Sequence, residues 1–148
     1  MITMRAKYAL KALGRLARAR GEPVLIADIA RAEGIPHKFL EHILAQLKQH
    51  GIVHSKKGRG GGYALGRDAA SIRVGDVIRI LDGPLAPVPC LSKTAYRRCD
   101  ECKSEATCGV RLILKDAHEA TTRILDARTV ADIVRTSEHA SAPLRYSI

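Results

Sequence analysis

At 148 residues and 16.1 kDa, the chain suffices for one compact domain, or for a small domain with an appended arm. Apolar residues make up 46% and charged residues 27%, a balance that excludes intrinsic disorder. No apolar run approaches the roughly 20 residues of a membrane-crossing helix. The N-terminal stretch interleaves Arg5, Lys7, Lys11, Arg15, Arg18 and Arg20 with apolar positions, unlike the unbroken apolar block of a signal peptide. A cytoplasmic protein without membrane association is expected.

The net charge of +10 is unevenly placed. Residues 1–75 hold 14 Lys and Arg against 5 Asp and Glu, whereas residues 76–148 hold 11 against 10. A basic half joined to a near-neutral half points to a polyanion partner for the first and another task for the second. Charge alone leaves a well-solvated surface as the alternative. With four Tyr, one Phe and no Trp, the core has to rest on Leu, Ile, Val and Ala.

Residues 4–20 read as a helix with Leu10, Leu13 and Leu16 or Ala17 on one face and Lys11, Arg15 and Arg18 on another; Gly21 and Pro23 stop it. A short helix at 26–33 turns Ile29 and Ala30 inward and ends at Gly34-Ile35-Pro36. Over 37–50, Leu40, Ile43, Leu44 and Leu47 form an i, i+3, i+4, i+7 stripe, and Gly51 caps it. Two short helices joined by a tight glycine-containing turn make a helix-turn-helix pattern. Strand-like Ile52-Val53 and Tyr63-Ala64-Leu65 flank Ser55-Lys56-Lys57-Gly58-Arg59-Gly60-Gly61-Gly62, a hairpin with a flexible basic tip: a wing. This run is no P-loop, because no Gly-Lys-Ser/Thr closes it, and no dinucleotide fingerprint, because Tyr63 occupies the last glycine position.

A helix at 74–82 is closed by Gly83 and Pro84. Residues 84–103, with Pro84, Pro87 and Pro89, lack periodicity and are expected to form an ordered or ligand-organised loop. Val110, Ile113, Leu114, Ala117, Thr121 and Ile124 then keep a narrow heptad-like seam, the signature of an oligomer contact. Thr129-Val130-Ala131-Asp132 reads as a capping box opening a short helix through Val134, and 136–148 as a tail.

The apolar stripe of the 37–50 helix leaves His37, Lys38, Glu41, His42 and Lys48 outward. A carboxylate facing a phosphate-lined groove is repelled, so Glu41 suits acceptance of a hydrogen bond from cytosine N4; the alternative is a surface glutamate favoured by the helix dipole. Lys56, Lys57 and Arg59, with small residues between them, suit close approach to phosphates.

All four cysteines, Cys90, Cys99, Cys102 and Cys108, fall within one short window. Disulfide frameworks spread their cysteines through a fold, so this clustering points to a metal, a cluster or a thiol switch. Four thiolates suit zinc or an iron–sulfur cluster by count. A redox disulfide and inert thiols remain the alternatives from spacing alone.

Tyr8 through Leu13, Ala27 through Ala30, Phe39-Leu40-Glu41, the Gly58 to Leu65 wing and Ile72 through Val77 resemble the IscR/NsrR/RirA/CymR group of bacterial winged-helix regulators, the Rrf-two family. The resemblance covers about residues 1–135. It implies a mainly α fold with a small β-hairpin and a homodimer crossed by a long helix at about 109–126. It further implies a recognition helix at about 37–48, a wing that enters the minor groove, Glu41 as the base-reading glutamate, and Lys57 or Arg59 near the position of a wing arginine.

Cluster-binding members use three cysteines after the helix at 74–82, the last two separated by five residues; Cys102 and Cys108 match that gap and Cys90 the first position. Cys99 is additional: a fourth ligand, a replacement for Cys102, or a resolving thiol, with the fourth ligand the expected role. Where one branch has a histidine three residues past the last cysteine, this chain has Arg111; where the nitric-oxide-sensing branch has an aspartate in the first helix, it has Lys7.

The expected organisation is a winged helix-turn-helix domain at 1–83, a cysteine-containing sensor loop at 84–108, a dimerisation helix and short terminal helix at 109–135, and a tail at 136–148. The expected function is a homodimeric regulator that binds a double-stranded DNA operator under the control of an iron–sulfur cluster ([2Fe-2S] or [4Fe-4S]) or of cysteine redox state. Alternatives are a regulator with a zinc or thiol–disulfide site that senses through a partner enzyme, and a small iron–sulfur redox protein. No nucleophile–base pair or paired carboxylates can be placed, so enzymatic chemistry is not expected.

Overall fold

The computed structural model describes residues 1–142. Helix α1 (Met4–Arg18) opens at Thr3, whose hydroxyl accepts from the Ala6 amide, and it buries Ala9, Ala12, Leu13 and Leu16. Against it pack α2 (Ile26–Glu33) and α3 (His37–Gln49). Gly34 ends α2 in the left-handed region at φ 65°, a conformation that costs glycine no Cβ clash. The chain can therefore turn within three residues into α3, whose Leu40, Ile43, Leu44 and Leu47 are all fully buried. Each such side chain contributes about 1.5–3 kcal/mol by leaving water, so this stripe fixes which face of α3 is left outward.

Strands β1 (Val53–Lys56) and β2 (Gly62–Leu65) form the antiparallel wing, in register Val53 with Leu65 through Lys56 with Gly62. The strands reach further toward the tip than expected, leaving only residues 57–61 as the turn. The glycines there serve two purposes. Gly58 and Gly60 take positive φ in open space. At Gly61 and Gly62 a Cβ would lie 2.2 Å from the Lys56 carbonyl oxygen and 2.5 Å from the Val24 backbone, so only hydrogen fits. That close approach lets Val24 and Tyr63 exchange both backbone hydrogen bonds, each 2.8 Å, on the other edge of β2.

Helix α4 (Val74–Asp82) completes the domain by burying Val74, Val77, Ile78 and Leu81. The chain then runs through an irregular segment with one 3-10 turn at Pro89–Leu91 into α5 (Gly109–Ala127). Backbone hydrogen bonds from Val74 to the Arg128 carbonyl and from Val130 to the Ile72 carbonyl, both 2.9 Å, stitch the end of α5 to the start of α4. The last helix, α6 (Val130–Ser141), carries the expected capping box: the Asp132 carboxylate accepts from the Thr129 amide at 2.8 Å, and the Thr129 hydroxyl accepts from the Asp132 amide at 3.3 Å. It runs past Val134, so residues 136–141, expected as tail, are helical. The reason is tertiary: α6 lies on α1, with Ile133 over Gly14 and the Arg18 guanidinium donating to the Ser137 hydroxyl. The remainder of the expected tail, 143–148, lies outside the described residues. No helix among the described residues is long and apolar enough to cross a membrane.

Candidate nucleic-acid interface and cysteine site

Burial of the α3 stripe leaves His37, Lys38, His42 and Lys48 exposed and Glu41 half-exposed. Glu41 lies one turn from the start of α3, between His37 Nδ1 at 3.5 Å and Lys38 Nζ at 3.7 Å. Of the two, the Lys38 ammonium offsets its charge. His37 and the wing residue Lys56 line one shallow cleft of about 360 Å³ between the start of α2 and the hairpin, so the start of α3 and the wing form a continuous face. Lys57 and Arg59 stand at the exposed tip, and no carboxylate among the described residues pairs with Lys56, Lys57 or Arg59. Lys48 sits at the far end of α3 and donates to the Ser55 hydroxyl of β1 at 2.6 Å.

Not all of the N-terminal charge faces outward for a ligand. Arg5 donates to Gln46 and Lys11 to the Glu33 carbonyl, while Arg18 meets Ser137, so these α1 cations hold helices together. Tyr8 packs edge-on to Phe39, ring centroids 5.8 Å apart, and is a packing residue.

The segment before α5 is organised by its own hydrogen bonds. The Tyr96 hydroxyl donates to Glu105 at 2.6 Å, which raises its pKa. The Arg98 guanidinium donates to the Cys102 carbonyl at 3.0 Å, and the Cys102 amide to the Cys99 carbonyl at 3.1 Å. All four cysteines line a single cavity of about 410 Å³. Cys90 is buried, Cys102 and Cys108 are half-buried, and Cys99 is exposed; none is in a disulfide. The Cys99 thiol is pushed up by desolvation, then by the Cys90 thiol beside it, with Cys102 and Glu101 adding. Among the described residues no three His, Cys, Asp or Glu side chains are gathered tightly enough to hold one metal ion. Arg111, in the first turn of α5, lines the same cavity, and its buried Nε has no hydrogen-bond partner.

Helix α5 buries none of its residues; Val110, Ile113 and Ile124 are 67%, 74% and 56% exposed. Ala117 and Thr121 lie on the same exposed side, while Leu114 is half-buried. The helix is held at its C-terminal end, where Leu125 packs against the small cluster of Ala6, Val74 and Ile78. There Arg79 of α4 donates to both carboxylate oxygens of Asp126, at 2.7 and 2.9 Å. This pair raises the Arg79 pKa and holds the Asp126 carboxyl below the usual carboxylate range. Sequence reading missed it, because 47 residues separate the partners. The usable signal was Gly75, a weak helix former inside a predicted helix: a Cβ there would lie 2.0 Å from Asp126 Oδ1.

Residues 2–136 match the family model Rrf2, described as an iron-dependent transcriptional regulator. The chain is similar to the rrf2-like HTH-type transcriptional regulator of Rhodobacter capsulatus, 39% identical over 145 residues that span 95% of this chain and 97% of that protein. It is similar to the HTH-type transcriptional regulator IscR of Klebsiella pneumoniae, 33% identical over 138 residues, 93% of this chain and 81% of that protein. Among solved structures it resembles CymR, the global cysteine regulator of B. subtilis, with TM-score 0.76 and 28% identity over 92% of this chain and 97% of that one. IscR of T. potens gives TM-score 0.74 and 26% identity over 96% and 91%.

Proposed function

The chain belongs to the Rrf2 family of transcriptional regulators, and on that premise we propose that it acts as a homodimer whose operator binding is set by an iron–sulfur cluster on Cys90, Cys102 and Cys108, with Cys99 as fourth ligand. The observation that carries this reading is the cavity of about 410 Å³ at the base of α5 that all four cysteines line. Zinc draws four ligands to about 2.0–2.3 Å from one point, and the described residues are not gathered that way. Thiolates spread around a space fit a body of several atoms better than a single ion. The donor set, four soft sulfurs, suits iron–sulfur ligation. A bound cluster supplies a group that oxidant, nitric oxide or iron scarcity can alter or remove.

What the chain's own residues do follows from the connectivity. Cys108 is the residue from which α5 starts, so ordering the loop fixes the first turn of that helix. Val110, Ile113, Leu114, Ala117, Thr121 and Ile124 supply the seam between two copies. Their exposure in the single chain leaves apolar area that a second α5 would cover. At its other end α5 is fastened to the winged domain by Arg79 and Asp126, so the setting of the two α5 helices sets the distance between the two α3 helices. A coupling of about 1–3 kcal/mol between the loop and DNA changes operator occupancy several-fold. On the duplex, His37, Lys38, Glu41 and His42 face the major groove, with Lys48 at the far end of α3 and Lys56, Lys57 and Arg59 on the flanking backbone.

A thiol–disulfide switch is the second reading, favoured by the free Cys90 and Cys99 thiols lining one cavity. The raised Cys99 pKa works against it, because the thiolate is the attacking species. The deciding experiment is an absorption spectrum of anaerobically purified protein, with operator affinity of cluster-loaded and apo protein compared at matched salt. Visible charge-transfer bands lost in Cys90→Ala, Cys102→Ala and Cys108→Ala are expected, with Cys99→Ala giving a labile chromophore. Identical operator affinities for loaded and apo protein would reduce the cysteines to a structural role.

A further inference from the structure

Arg111 Nε is the one buried side-chain nitrogen or oxygen without a hydrogen-bond partner among the described residues. A buried N–H left unpaired is costly, and such orphans in a folded protein usually mark a missing partner. Arg111 lines the cavity shared by all four cysteines, and a neighbouring cavity of about 500 Å³ that contains Cys90 but neither Cys99, Cys102 nor Cys108. Glu101, Ser104 and Thr107 also line the first cavity and Glu119 the second, yet none of them accepts from Nε, and the largest group of soft acceptors around it is the four thiols. Resting on the cluster reading above, we propose that the Arg111 guanidinium is the positive charge and hydrogen-bond donor for a sulfur of the bound cluster.

Arginine suits donation and not ligation. A metal ligand needs a free lone pair, and a guanidinium keeps its protons at any pH the protein meets. It has no acceptor, so facing thiolate or sulfide it can only donate. The fourth ligand is thus left to Cys99, and Arg111 acts on the charge of the site. Thiolates and sulfides make the site anionic, and reduction adds a further negative charge. A cation that donates to one of these sulfurs stabilises the reduced form more than the oxidised form, and so raises the reduction potential. The same bond slows escape of iron by keeping the thiolates screened from one another. The helix carries the group at a fixed place: Arg111 lies three residues past Cys108, less than one turn away, and so on the same side of α5.

The test uses wild-type protein, Arg111→Lys and Arg111→Met, purified without oxygen and loaded with iron and sulfide. Three quantities are read: the midpoint potential by spectroelectrochemical titration, the rate of bleaching by an iron chelator, and the melting temperature of each apo protein. In Arg111→Met the potential is expected to move to a more negative value and bleaching to speed up at least threefold. Arg111→Lys, which keeps the charge, should fall between. The apo Met variant should melt no lower than the wild type, because the substitution removes an unpaired buried donor. A Met variant that cannot be loaded but melts normally as apo protein also supports the role. Potentials and bleaching rates equal to wild type in both variants would overturn it, as would a marked loss of apo stability in Arg111→Met, which would make Arg111 a packing residue. If wild-type protein takes up no iron and sulfide, the cluster reading and this inference fall together; if it loads and the variants match it, only the role of Arg111 falls.

Discussion

Replacing Gly75 by alanine pits two local effects of opposite sign against each other. Gly75 lies inside α4, where Gly→Ala normally stabilises by about 0.5–1 kcal/mol because alanine loses less backbone entropy. Here the new Cβ would lie 2.0 Å from Asp126 Oδ1, closer than Cβ atoms come to any neighbour, so the carboxylate must move. That movement breaks the two-pronged pair with Arg79, whose bonds are 2.7 and 2.9 Å long. Buried charge-assisted hydrogen bonds are worth about 1.5–3 kcal/mol, but these side chains are 30% and 31% exposed, and solvent screening reduces the pair to about 1–2 kcal/mol. Gly75→Ala is therefore expected to destabilise by up to about 1.5 kcal/mol, the pair's loss less the propensity gain. With Asp126→Ala already in place the 2.0 Å clash is gone and the Arg79 guanidinium, 3.0 Å from the new Cβ, is released from its partner and can swing aside, so the same Gly75→Ala should stabilise by about 0.5–1 kcal/mol. Urea denaturation followed by circular dichroism, at one fixed protomer concentration, reads both values. A Gly75→Ala effect of the same sign and size in the two backgrounds would refute the role of Gly75 as a seat for the carboxylate.

Other expectations concern the duplex, the seam and acid. Lys56→Ala with Lys57→Ala should weaken binding to every duplex and flatten the salt dependence, as loss of phosphate contacts demands, whereas Glu41→Ala should relax base preference by roughly 1–3 kcal/mol per lost contact; competition binding with operator and random DNA over a salt series separates them. Ile113→Glu, at a position 74% exposed in the single chain, should leave each chain folded but yield monomers in sedimentation and lose tight operator binding. Asp126 has its carboxyl held low, first by the hydrogen bond from Arg79, so its contribution is complete above the unfolded value of about 3.9 and is lost as pH falls through the lower folded value. Asp126→Asn should accordingly show a shallower loss of stability in acid than the wild type, measured as urea midpoints between neutral and strongly acid pH.

The parts of the fold legible in the sequence are those written in local periodicity. Leu40, Ile43, Leu44 and Leu47 mark one face of α3 because burial of that face requires 3.6-residue spacing, and all four are buried. The wing could be read from Lys56 through Tyr63, since glycine-dense tips and flanking β-formers are both local signals. The capping box at Thr129 and Asp132 is local as well. What escaped is held together across the chain. The end of α6 is helical because it rests on α1, and Thr136, Glu138 and His139 carry no periodic signal of that support. Composition counted the cations of α1 as polyanion-facing, although Arg5, Lys11 and Arg18 are engaged with other helices. At the cysteines the window itself was plain. That Arg111 joins them with an unpaired Nε became visible only once α5 had been placed over the loop.

The two hydrogen bonds between Val24 and Tyr63 bear on how a duplex is accommodated. They tie the wing to the residues just ahead of α2 and resist its swinging away from the helix-turn-helix, so the gap between Glu41 and the wing lysines is held like the jaws of a caliper set to one width. A duplex lying across both must then present grooves of that width. On the proposed interface, a duplex that does not is expected to bend or narrow before the wing gives way. Base steps that no side chain touches would then influence affinity through their stiffness, a form of sequence preference that lives in the mechanics of the operator.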